Sequence, residues 1–160
     1  MALFRRPRVV RRRHDGTYEL NLDAPFRDVV RSLMGQLDEL LADTPDDPSM
    51  RRLRPPAYLD DPDADAAYQL LAGEELRASH HAAVARVLAS VDATVLSEDD
   101  LWGWLQALNA VRLVAGTRLD ISEDDHGGRR EPANDEEASL WAVYDLTTAL
   151  QHEVVTGLQR

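Results

Sequence analysis

Asn109 and Arg112 stand one helical turn apart between Leu108 and Leu113, in an otherwise apolar run, and Arg118 follows further along. Polar groups this close to a core stripe must find partners, because an unpaired buried charge is very costly. Two kinds of chemistry fit. One is an internal network that ties this helix to an acid from another segment. The other is a recognition surface, since the arginine fork matches a partner's carboxylates. Arginine stems also pack beside core stripes without any binding role.

The remaining reactive side chains suggest less. His80 lies four residues from both Leu76 and Val84, so it falls on an apolar helix face, where a histidine is expected to be a core residue bonded to a neighbour. His81 is expected to face outward. Neither belongs to H-E-x-x-H, and no Glu-x-x-His pair supports a di-iron site, so no metal is expected. The acids Asp60, Asp61, Asp63 and Asp65 resemble a calcium loop only superficially. Counted from Asp61, the positions for its glycine and its closing glutamate hold Ala66 and Ala72. Such acids suit a helix N-terminus, as do Glu98-Asp99-Asp100 and Asp135-Glu136-Glu137. There is no phosphate loop, no dinucleotide fingerprint and no G-x-S-x-G elbow, so no cofactor or catalytic residue is expected. A pocket near Arg112 and His80 is the place where an enzyme or small-ligand binder would have to hide.

Arg5, Arg6, Arg8, Arg11, Arg12 and Arg13 crowd the first fourteen residues, which contain no acid. Six such charges could touch nucleic acid or an acidic protein, or neutralise the body they pack against. Alternation along a hairpin would put some on each face, and no aromatics interleave with them as in a stacking platform. A protein partner or internal pairing is favoured over nucleic acid.

The chain has 160 residues with 18 basic and 29 acidic side chains, a net charge of −11, and no cysteine; every basic residue is arginine. The arm's six arginines leave −17 for the rest. Disulfides, thiolate metal sites and thiol redox switches are excluded, and general binding along a phosphate backbone is disfavoured. No apolar run approaches the roughly 18 residues of a membrane span, and arginine follows Leu3-Phe4 at once, leaving no signal-peptide core. A cytoplasmic location is the expectation.

Several elements must position these residues. Val9 and Val10, the Asp15-Gly16 turn signal, and alternating Tyr18, Leu20 and Leu22 predict an N-terminal β-hairpin. Asp23 and Pro25 open a helix striped by Phe26, Val29, Val30, Leu33, Leu37, Leu40 and Leu41. The proline-rich stretch 45–63 reads as a long loop or extended crossing. A short helix over about 63–71 is expected to meet Gly73, and another to run over 74–91. Ser97 caps the clearest helix, which buries Leu101, Trp104, Leu105, Leu108 and Val111 or Leu113, with Gly116 at its end or at a close packing point. Residues 122–135 read as a polar, mobile connection to a last helix over about 135–158. The expected fold is mainly α: a bundle of about five helices with an N-terminal β-hairpin, one domain over 1–160, its basic arm at 1–22 and its helical body at 23–160. Trp102, Trp104 and Trp141 exceed what one small core must bury, which makes a homodimer plausible.

The segment Trp104–Leu119 resembles W-L-x-x-L-N-x-x-R-L-x-x-G-T-R-L, the signature of an actinobacterial family grouped as a domain of unknown function. Trp104, Leu105, Leu108, Asn109, Arg112, Leu113, Gly116, Thr117, Arg118 and Leu119 carry the likeness. Arg52, Leu53, Pro55, Ala57 and Tyr58 match a second motif, R-L-x-P-x-A-Y, and the order of elements agrees along nearly the whole chain. The family includes an oxidative stress regulator. The resemblance implies a cytoplasmic regulator without enzymatic activity, acting through a stress sigma factor on redox genes. In that branch a C-x-x-x-C disulfide promotes partner binding; this chain, without cysteine, keeps the implied scaffold and lacks the implied trigger.

Overall fold

The computed structural model describes residues 7–44, 46–122 and 129–160. Strand β1 (Val10–Arg12) and strand β2 (Tyr18–Leu20) form the expected hairpin, with Val10 opposite Leu20 and Arg12 opposite Tyr18. Gly16 takes φ +82 in the turn, where the Asp15 carboxylate accepts from the Thr17 N–H at 3.0 Å. A third strand, β3 (Val95–Leu96), completes an antiparallel sheet in the order β1-β2-β3. Two residues are too few to show a period, so β3 left no pattern in the sequence.

Helix α1 (Ala24–Asp43) carries Pro25 in its first turn, where its fixed φ is suited. It buries Val30, Met34, Leu37 and Leu41, while Phe26 and Val29 of the expected stripe remain exposed. Asp23 occupies the cap position but makes no side-chain capping bond. The stretch expected to be a loop contains a 3-10 helix, Pro48–Leu53, capped by the Asp47 carboxylate at the Ser49 N–H. Its buried Met50 and Leu53 belong to the same core as α1.

Helix α2 (Pro62–Ser90) corrects the expectation of two helices broken at Gly73. Nothing lies within 4 Å of where a Gly73 side chain would begin, so this glycine marks neither a turn nor a close approach. Helix α3 (Glu98–Arg118) begins with a capping box: the Asp100 N–H donates to the Ser97 hydroxyl, and the Ser97 N–H to the Asp100 carboxylate. Its small residues Ala107, Ala110, Ala115 and Gly116 are buried beside Trp104, Leu108 and Val111, so α3 lies at the centre of the bundle. Helix α4 (Asp135–Leu158), capped by Asn134, covers α3 and carries the hairpin. A side chain on Gly157 would begin 2.5 Å from Val10 Cγ1, which is how closely β1 lies on α4.

The fold is therefore mainly α, four α-helices and one 3-10 helix among the described residues, with a small sheet at the N-terminal end. Residues 123–128 of the expected polar connection lie outside the described residues. The stretch leading into α4 is tied down: Arg130 donates to the Leu119 carbonyl at 3.0 Å and pairs with Glu137.

Candidate interaction site

Helical spacing places Asn109 and Arg112 on the same side of α3, and that side faces α4. The Gln151 amide donates to Asn109 Oδ1 at 3.3 Å. Arg112 Nη2 donates to the Tyr144 hydroxyl at 3.4 Å, and its guanidinium carbon stands 5.3 Å from the centre of that ring. The expected internal network exists, but its partners are an amide and a phenol in place of an acid. Arg112 Nε is buried without a hydrogen-bond partner among the described residues. A cation over an aromatic face is held by the ring quadrupole, which compensates part of that loss.

Arg118 is not part of this group. Nine residues beyond Asn109 is about 180° around a helix at roughly 100° per residue, and Arg118 is accordingly exposed on the opposite side. It stands near Asp47 and borders a shallow pocket with Leu33, Gln36 and Leu140. Asn109, Arg112 and Arg118 thus do not form one surface.

Gly116 is a close packing point. Arg52 of the 3-10 helix lies against it and donates to the Ile121 carbonyl, and the Tyr144 ring closes the other side. The carbonyl is aimed by a left-handed Asp120, φ 55, after which the Ile121 N–H returns to the Gly116 carbonyl at 2.9 Å. The two sequence motifs therefore meet in space, Arg52 of one against Gly116 of the other.

In the arm, Arg8, Arg11, Arg12 and Arg13 are all exposed, while Arg5 and Arg6 lie outside the described residues. Arg11 pairs with Glu19 across the hairpin and lowers the pKa of that carboxyl. Arg13 is 3.9 Å from Asp15. Arg8 and Arg12 have no acidic partner among the described residues. The Val9 N–H donates to Glu153 of α4 at 3.1 Å, fastening the basic edge to the helical body.

The histidines differ from expectation. His80 is half-buried, but neither ring nitrogen makes a well-formed hydrogen bond among the described residues. Burial pushes its pKa below 6.5, against the nearby Leu53 backbone and with some help from His81. His80 lines an apolar pocket of about 220 Å³ with Leu41, Met50, Leu53, Leu70 and Leu76; Arg112 is not among its lining residues. His81 turns toward α1, its Nδ1 2.7 Å from Asp38. Among the described residues, no three His, Asp or Glu side chains are grouped to hold a metal. Trp104 and Trp141 are buried within the chain, which leaves only Trp102 exposed to support the argument from surplus tryptophans.

One residue that sequence reading missed holds the sheet to the bundle. The Arg27 guanidinium donates to the carbonyls of Leu20, Leu22, Val91 and Ala93, joining the exit of β2 to the end of α2. An arginine two positions after a helix-opening proline was the only local sign, and it does not distinguish this role from a solvated side chain.

The profile of a family described as Domain of unknown function (DUF2017) matches residues 4–158. The chain is similar to the protein named Oxidative stress regulator AosR in Mycobacterium tuberculosis and in Mycobacterium bovis. Each is 32% identical over 134 residues, a match covering 73% of this chain and 61% of the relative. The chain thus spans about three fifths of the length of these curated relatives. No solved structure matches it. Among the described residues, no helix is long and apolar enough to cross a membrane.

Proposed function

The chain belongs to the DUF2017 family, and from that premise we propose that it is a non-enzymatic regulator of the stress response, cytoplasmic, acting by binding another protein. The observation that carries this reading is the similarity to proteins named oxidative stress regulators, which extends over 134 residues. The use of Arg52, Asn109, Arg112 and Gly116 in joining helices supports it: the signature preserves a scaffold. The partner class is a stress sigma factor, and the outcome is control of redox transcription. The trigger is something other than thiol oxidation, because the sequence has no cysteine.

Arg8 and Arg12 are offered to that partner's acids, being exposed and without an acidic partner among the described residues. Arg118 adds an exposed cation on the far side of α3.

Crosslinking from Arg12 in the native cell, followed by mass spectrometry, tests the proposal. Capture of a sigma factor or RNA polymerase, lost in R8E/R12E, is the expected result. Capture of no transcription protein overturns it. Binding to DNA or RNA whose affinity falls steeply with salt would instead establish the nucleic-acid reading of the arm.

A further inference from the structure

Helix α2 has 29 residues, and its first buried side chain is Ala83. The preceding six turns need a reason to hold their shape, because helices gain most of their stability in proteins from packing an apolar face. One flank is covered. The Asp65 carboxylate accepts from the Ala57 N–H at 2.8 Å, Gln69 donates to the Pro55 carbonyl, and Tyr58 meets Tyr68 edge-on at 6.4 Å. Helix α1 does not reach the rest. It runs antiparallel to α2, with Arg31 at Asp92 and Asp38 at His81, and stops at Asp43. By the helical rise its end falls near about residue 76 of α2. Beyond that point Leu70 and Leu71 are 83% and 84% exposed, beside an exposed Ala67.

We propose that this open side of α2 pairs with the same helix of a second copy of the chain, antiparallel, about a twofold axis at Leu70. Charge selects the occupant. Asp63 and Arg77 lie seven residues before and after Leu70, a spacing that returns to nearly the same side of a helix. An antiparallel copy therefore sets Asp63 opposite the partner's Arg77, and the twofold repeats the pair at the other end. Leu70, Leu71 and Ala67 form the seam between. Arg77 also pairs with its own Glu74, which holds its guanidinium at this edge. From Asp63 to Arg77 the seam is about 20 Å long. This is smaller than the roughly 800 Å² per partner of a durable interface, so the dimer is a weak, concentration-dependent one.

Sedimentation velocity from about 1 μM to about 1 mM tests the pairing. The wild-type chain is expected to shift from monomer to dimer. L70E/L71E stays monomeric with unchanged circular dichroism, since both leucines are exposed. D63R weakens association at least tenfold, and D63R/R77D restores it. A wild-type monomer throughout that range overturns the proposal, whether or not another protein uses the face. A dimer indifferent to L70E/L71E, or a D63R defect that R77D does not repair, overturns it equally.

Discussion

Arg52 Nη1 stands 3.3 Å from where a β-carbon on Gly116 would begin, and the same guanidinium donates to the Ile121 carbonyl just beyond α3. The 3-10 helix is thereby fixed to the end of the central helix through a position where even a β-carbon would be tightly packed.

Gly116→Val should cost about 1–3 kcal/mol, because neither Arg52 nor the packed Tyr144 ring can clear two added methyl groups. Gly73→Ala is the contrasting case. With open space there, it should stabilise by about 1 kcal/mol through helix propensity alone. Urea unfolding of both variants gives the comparison.

Arg27→Ala leaves four backbone carbonyls without their shared donor. A single hydrogen bond to a charged group contributes about 1.5–3 kcal/mol, so the loss should be at least about 3 kcal/mol. Arg27→Lys should recover little of it, since a point charge cannot span the fork's separate directions. Amide exchange should show the sheet loosening ahead of α3.

Ser90 accepts from the buried Trp104 indole at 2.9 Å and donates to the Arg86 carbonyl at 2.7 Å. Ser90→Ala strands the indole N–H inside the core and should cost about 1–3 kcal/mol. A thermal melt should show the drop, with indole fluorescence changed in the native state.

His80 gives the fold a pH dependence of definite sign. Its folded-state pKa lies below 6.5, so the unfolded chain takes up the proton first as the pH falls. The stability it contributes is complete above 6.5 and is lost as the pH drops through the folded value. His81, Arg54, Arg77 and Glu74 are the charged or titratable groups around the same pocket. Between about pH 7 and about pH 5.5, the thermal midpoint should fall more for the native chain than for His80→Leu. Equal falls would remove His80 as the source.

Where a local rule and the tertiary contacts agreed, the sequence was readable. Ser97 with Asp100 three residues on is a capping box in the sequence and in space, and α4 spans the residues its apolar spacing indicated. Gly73 misled because glycine lowers helix propensity without forbidding a helix. The 3-10 helix was obscured by its flanking prolines, although Asp47 before Pro48 is a start signal. For the candidate site, spacing along α3 correctly put Asn109 and Arg112 together, and the same angular count separates Arg118 from them. Their partners Gln151 and Tyr144, like the carbonyls around Arg27, are set by how distant segments dock, and no window of sequence contains that information.

The hydrogen bond from Val9 to Glu153 spans 144 positions, and Tyr18 pairs with Leu96 in the sheet. Contacts between such distant positions must close long loops before they are rewarded. Strand β2 follows the arginine-bearing strand at once, but β3, which completes the sheet, and α4, which holds it to the bundle, come far later in the chain. Until both are made, the hairpin has only Asp15 and Glu19 to face Arg13 and Arg11. The basic edge is thus among the last parts of the fold to be secured.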